Sequence, residues 1–298
     1  MKALLKKVFQ LFVLALMLFC TIWFTPVDEY LHREYLNFTV TDQELESSIN
    51  LNQYKLAAGP IILDQAGDQV SGMTWSPITE TLFVASRDDT VEILEYDKQG
   101  DLIRKIPANM GMDIEGIVWA GDYSFAFINE RANSILVADI NPDTHTIDLQ
   151  NASTFTLDIA KGGNKGLEGI SWSPITNEFY VVKERDPKAI YMIPDFRKNN
   201  KVVAKELTTF DGLMWNKRDF SGLLYDPRTN HFLVLSDESN VLAEVSSEGK
   251  QISTLELLSG WHGLESTIDQ AEGITMDAEG TIFITSEPNH LYIFKKEK

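Results

Sequence analysis

The stretch Glu168-Gly169-Ile170-Ser171-Trp172-Ser173-Pro174, followed by Glu178-Phe179-Tyr180-Val181-Val182, reads as strand, tight turn, strand. Short β-branched and aromatic runs joined by a Pro- and Asn-bearing turn have no helical period and suit a hairpin. The same unit recurs along the chain. Ser71-Gly72-Met73, Glu115-Gly116-Ile117, Ser221-Gly222-Leu223 and Glu272-Gly273-Ile274 repeat its opening, with glycines 44, 53, 53 and 51 residues apart. A third run follows in each copy, such as Val91–Tyr96, Ser134–Ala138, Ala189–Ile193, Val241–Val245 and His290–Phe294, and a fourth follows most of them. A four-stranded unit of about fifty residues, repeated radially, is a β-propeller.

The repeats predict five blades, with six as the alternative if a 53-residue interval hides a degenerate one. The last copy stops after its third strand, while an unassigned run at residues 54–58 or 60–63 precedes the first. A propeller closes its ring when one terminus supplies the missing strand at the other, which removes an exposed edge.

Composition narrows the function. The 298 residues are 44% hydrophobic, ample for a large core. Against 26 basic residues stand 44 acidic ones, a formal charge of −18 that repels a phosphate backbone and argues against nucleic acid as partner. The single cysteine, Cys20, excludes an intramolecular disulfide and a Cys-based zinc site.

Ahead of the repeats, Lys2, Lys6 and Lys7 precede the apolar run Val8–Phe24, and bulky residues occupy the place of a signal-peptidase site. This predicts a transmembrane signal-anchor over 1–26, an acidic stalk over 27–52 and the propeller over 53–298. It also predicts a single-pass protein of the bacterial inner membrane, tethered through that anchor, with its propeller in the periplasm.

The residue before each motif glycine carries the chemistry. It is acidic in three copies, Glu115, Glu168 and Glu272, and serine in two, Ser71 and Ser221; Asp68, Asp113, Asp219 and Asp269 sit nearby. A second acidic set follows fifteen or sixteen residues later: Glu130, Glu184, Asp237 and Glu287, with Asp88 a near match. Five-fold repetition aims both sets at one mouth of the central channel. Converging carboxylates repel one another unless they take up protons or share a cation, and oxygen donors without His or Cys favour Ca²⁺. Acids at strand ends are equally explained by capping of neighbouring backbone N–H groups or by pairing with Arg87, Arg131 and Arg185. Trp75, Trp119 and Trp172 read as inter-blade core. No Ser-His-Asp spacing or G-x-S-x-G elbow is present.

Asp113-Ile114-Glu115-Gly116-Ile117, Gly166–Trp172, Asp219–Leu223 with Leu235-Ser236-Asp237-Glu238-Ser239, and Ala271–Ile274 resemble the SdiA-regulated (YjiK-like) family over nearly all of the repeat region. The resemblance implies a five-bladed propeller, distantly NHL-repeat-like, with a calcium site and an N-terminal membrane segment. Some NHL relatives are metal-dependent hydrolases of lactones and phosphoesters, which mix Glu, Asn and Asp around one calcium; here Asn129 is the best Asn candidate. The expected function is a calcium-binding propeller acting as a binding or scaffold module for a small-molecule or envelope-protein ligand. A calcium-dependent hydrolase of lactones or phosphoesters is the alternative.

Overall fold

A computed structural model describes residues 2–24, 27–87, 90–109, 113–158, 166–198, 201–210, 212 and 217–297. Among them three helices, α1 (Lys2–Phe24), α2 (Val27–Thr39) and α3 (Asp42–Glu46), precede twenty strands. Strand β1 is Tyr54–Ile62. Blade one is β2 (Gln69–Ser76), β3 (Thr81–Arg87), β4 (Val91–Tyr96) and β5 (Leu102–Pro107). Blade two is β6 (Ile114–Trp119), β7 (Ser124–Asn129), β8 (Ser134–Asp139) and β9 (Ser153–Thr156). Blade three is β10 (Leu167–Ser173), β11 (Glu178–Lys183), β12 (Ala189–Pro194) and β13 (Lys205–Glu206). Blade four is β14 (Gly222–Asp226), β15 (His231–Ser236), β16 (Val241–Ser246) and β17 (Gln251–Glu256). Blade five takes β18 (Ala271–Met276), β19 (Ile282–Ser286) and β20 (His290–Lys296) from the C-terminus and β1 from the N-terminus, in the order β1-β20-β19-β18.

The protein is therefore an all-β, five-bladed propeller, and the six-bladed alternative falls away. Tyr54 lies opposite Lys296 and Ile62 opposite His290, so the first strand of the chain pairs antiparallel with the last and shuts the ring. One apolar core fills each gap between neighbouring blades. Phe83 and Ile93 of blade one meet Phe125 and Phe127 of blade two, and Leu233 and Leu255 of blade four meet Ile274 and Ile284 of blade five. Hydroxyls stitch gaps between blades as well: the backbone N–H groups of Trp119, Tyr225 and Trp75 donate to Thr74, Ser171 and Thr275 of the preceding blade at 3.0, 2.7 and 2.8 Å.

The motif glycines are explained by close approach. A Cβ on Gly116 would stand 2.5 Å from the Glu168 carbonyl oxygen, one on Gly169 2.5 Å from Leu223 N, and one on Gly72 2.8 Å from Gly116 Cα. The inner strands touch backbone to backbone around the axis, where no side chain fits.

The N-terminal expectation requires correction. Among the described residues no helix is long and apolar enough to cross a membrane. Helix α1 has Lys6 and Lys7 in its opening turns, and the apolar run beyond them spans only about 25 Å at ~1.5 Å per residue, short of ~30 Å of hydrocarbon. The single-pass anchor is not supported, and the inner-membrane and periplasmic placement that depended on it goes with it.

The segment read as a stalk is helical and docks on blade four. Leu36 and Val40 pack on Ile252, and the buried pair Glu29–Lys217 closes at 2.6 Å. Arg33 reaches Glu256 at 3.3 Å with its guanidinium 4.7 Å from the centre of the Trp261 ring. Thr41 and Glu44 cap α3 reciprocally. Beyond it the buried Glu244 accepts the backbone N–H groups of Ile49 and Asn50 at 2.7 and 3.0 Å.

Candidate metal centre

Four of the five inner strands open with an irregularity that aims one residue. In blade two Ile114 faces Asn129 and Gly116 faces Ile128, so Glu115 has no partner of its own. Ser71 between Val70 and Gly72, and Glu272 between Ala271 and Gly273, occupy the same extra position. In blade three the shift falls between Leu167 and Ile170, around Glu168. An extra residue in a strand bends it and redirects a side chain. Here the redirected residue is the one before the motif glycine, which is why the chemistry of that position recurs at one place in space.

That place is a cavity of about 260 Å³ at one mouth of the channel. All eight sequence-predicted carboxylates line it: Glu115, Glu168, Glu272 and Asp219, with Glu130, Glu184, Asp237 and Glu287. Ser71 and Ser221 complete the inner set, and among the described residues Arg185 is the only basic one lining it. Of the other acids, Asp68 and Asp269 are exposed on the surface, and Asp88 lies outside the described residues. Asn129 ends β7 and does not line the cavity.

The two acidic sets differ in how they are held. In the second set Glu130 accepts the N–H of Gly166 at 3.0 Å and Asp237 that of Ala271 at 3.2 Å, each tying its blade to the next. Glu184 is paired with Arg185, which also reaches Glu238, and Glu287 accepts from Gln270 at 3.0 Å. Asp219 accepts from Ser236 Oγ at 2.5 Å and from Glu238 N at 3.1 Å. These residues serve the framework as well as the cavity.

The inner set has fewer partners. Glu168 and Glu272 have no hydrogen-bond or ion-pair partner among the described residues; what surrounds them is protein and other acids. Burial, then the charges of Glu115 and Glu272, hold the Glu168 carboxyl well above its usual range. Burial, then Asp237 and Glu287, push Glu272 to about 9. Burial and the neighbouring Glu130 bring Glu115 to about 7, with Arg87 and the Ser71 hydroxyl opposing. Asp219 rises to about 6, and Asp237 and Glu287 also rise, with burial the first cause in each. Without a cation these groups take up protons, the cheaper way to keep carboxylates together out of water.

Oxygens of Asp113, Glu115 and Glu130 approach within 4.8 Å of one another, a spacing that one ion can bridge. Asp113 is held there between the guanidinium groups of Arg87 and Arg131, the latter at 2.7 Å. Among the described residues the donors that line the cavity are carboxylates and hydroxyls, with neither His nor Cys, a set for a hard cation of six to eight oxygen ligands. Sequence reasoning did not single out Gly166. Its signal is geometric: a Cβ there would stand 2.5 Å from Glu130 Cγ, so glycine lets that carboxylate reach the next blade.

A sequence model of the SdiA-regulated family matches residues 46–295. The chain belongs to that family. Among solved structures, this SdiA-regulated propeller is similar to a protein of unknown function from Bacteroides thetaiotaomicron, with TM-score 0.53 and 14% identity over 78% of this chain and 60% of that one. It is also similar to regucalcin, a calcium-binding protein from Agrobacterium tumefaciens, with TM-score 0.50 and 13% identity over 80% of this chain and 94% of that one. Identities this low show a shared fold and nothing finer.

Proposed function

We propose that this propeller binds calcium at its acidic mouth and uses the organised face as a binding or scaffold module for a small-molecule or protein ligand. The observation that carries the reading is the pair Glu168 and Glu272, carboxylates surrounded by protein and by other acids, with no cationic or hydrogen-bonding partner among the described residues. A divalent cation relieves that repulsion and satisfies the oxygens together. Regucalcin, of similar fold, is a calcium-binding protein, but it is the carboxylates of this chain that support the reading.

The hydrolase alternative needs a carboxylate free to activate water beside the metal. Glu130, Asp237 and Glu184 are engaged with Gly166, Ala271 and Arg185, and the unpartnered Glu168 and Glu272 are the ones assigned to the metal, which favours binding over turnover. The test is a calcium titration of the full chain followed by melting temperature, with a Glu115→Gln/Glu168→Gln/Glu272→Gln variant alongside. Mass action stabilises a calcium-binding fold by about 2.7 kcal/mol at a hundred times Kd. A rise present in the parent and absent in the variant supports the reading; a parent indifferent to millimolar calcium sinks it.

A further inference from the structure

The two acidic sets at the mouth share a gap at blade one. The motif glycines Gly72, Gly116, Gly222 and Gly273 face Ala85, Ile128, Leu235 and Thr285 across their hairpins. Two residues beyond those partners stand Arg87, Glu130, Asp237 and Glu287. In blade three Leu167 faces Lys183, and Glu184 follows at the same level. Register therefore puts Arg87, rather than the Asp88 that the spacing suggested, at the blade-one position of the second set. Four blades fill that position with an acid and one fills it with a guanidinium. Blade one carries serine at the inner position as well, and among the described residues Ser71 is its one contribution to the cavity wall.

The Arg87 side chain is held in a defined direction. Its Nε and Nη2 groups donate to the Oε1 of Gln69, the residue opposite it in the hairpin, at 2.9 and 2.8 Å. Its Nη1 pairs with Asp113 of blade two, two residues before Glu115. The guanidinium thus touches a member of the group Asp113, Glu115 and Glu130, whose oxygens lie within 4.8 Å of one another. Its charge also bears on Glu115 itself and on Glu287 of blade five, where it opposes the effect of burial.

Screening separates Arg87 from its neighbour. Its side chain is 32% exposed, against 77% for Arg131, the other partner of Asp113, so water and salt weaken its field less. A fixed cation and a metal ion compete for the same oxygens, and their mutual repulsion is strong where solvent is partly excluded.

We propose that Arg87 is a built-in counter-cation that sets how tightly the mouth holds calcium. It takes up part of the negative charge of blades two and five and keeps the affinity below what the carboxylates alone would give. This inference rests on the calcium reading of the same site.

The test is the calcium dissociation constant of the full chain at pH 8, measured by calorimetry for the parent, Arg87→Gln, Arg87→Lys and Arg131→Gln. Arg87→Gln is expected to bind calcium about tenfold more tightly than the parent, because the competing charge is gone. Arg87→Lys, which keeps the charge in a different shape, is expected to stay within about threefold of the parent, as is Arg131→Gln, whose charge is already screened. A purely structural role for Arg87 gives the opposite sign, since loosening the wall weakens the site. If Arg87→Gln fails to fold, Arg87→Met, which has an unbranched stem and no charge, carries the same expectation. Unchanged or weaker binding by the uncharged Arg87 variants, or equal tightening in Arg87→Lys or Arg131→Gln, overturns the proposal and leaves the calcium reading standing. A parent that takes up no calcium overturns both.

Discussion

Gly116 packs against the backbone of Glu168 so closely that a methyl group on it would stand 2.5 Å from the Glu168 carbonyl oxygen. The metal-site candidate of blade three is therefore positioned by the glycine of blade two. Gly116→Ala is expected to destabilise the fold by about 2–3 kcal/mol, because the atom in the way is a backbone oxygen, which cannot swing aside as the end of a side chain would. That lowers the melting temperature by about 5 °C or more. Gly222→Ala, whose Cβ would find its nearest neighbour at 3.2 Å, should cost less. Thermal melts of the two variants check the order; equal melts would mean that the inner strands adjust freely.

Removing one member of the buried Glu29–Lys217 pair leaves an uncompensated charge, which typically costs about 3–5 kcal/mol. That energy acts on the docking of α2 rather than on the ring. Glu29→Ala is therefore expected to speed amide exchange across 27–46 while the strands keep their protection. Uniform acceleration throughout the protein would show that the helix and the ring unfold together.

The raised carboxyls set a pH dependence. A carboxyl whose folded pKa lies above its unfolded value contributes stability below the unfolded pKa and loses it as pH rises through the folded one. With Asp219 at about 6, Glu115 at about 7 and Glu272 at about 9, the metal-free protein should lose stability steadily between about pH 4 and 9. Each tenfold change in proton affinity between the folded and unfolded chain corresponds to about 1.4 kcal/mol. Glu272→Gln, which mimics the protonated side chain, should therefore stabilise the metal-free protein at pH 8 by ~1 kcal/mol or more. Saturating calcium should flatten the slope in the parent. Melting temperatures across pH, with calcium or with chelator, decide; a metal-free protein that gains stability toward pH 9 contradicts the scheme.

Thr74→Val keeps the shape of the side chain and removes the acceptor for the Trp119 N–H in the adjoining blade. A donor stranded between blades costs about 1–3 kcal/mol. Denaturant midpoints for this variant and for Ser171→Ala, which strands the Tyr225 N–H, are expected to fall together. A shift confined to one would mean that water repairs the other.

The blades were legible because their signals are local. Gly72, Gly116, Gly169, Gly222 and Gly273 recur at blade spacing, and the run before the first repeat is the missing strand of the last blade. Glu115, Glu168 and Glu272 were legible as a set through the same period. What period does not carry is partner choice. Nothing in the spelling of residues 27–52 says that Glu29 will meet Lys217 across most of the chain, so an ion-paired docking segment looked like an acidic spacer. The apolar run Val8–Phe24 has the basic flank of a membrane anchor, but its length falls short of the hydrocarbon it would have to cross. Trp75, Trp119 and Trp172, near the ends of their inner strands, read as core because packing and lining a cavity require the same side chains.

The pairing of β1 with β20 has a consequence for biosynthesis. Tyr54–Ile62 leaves the ribosome well before His290–Lys296 and must wait for it before it has a neighbour to pair with. Until His290–Lys296 emerges, β1 and β19 both present unsatisfied edges, the kind of surface that aggregates or is captured by chaperones. Chains truncated before that strand cannot lock the ring, so its arrival couples closure to the synthesis of all the blades before it.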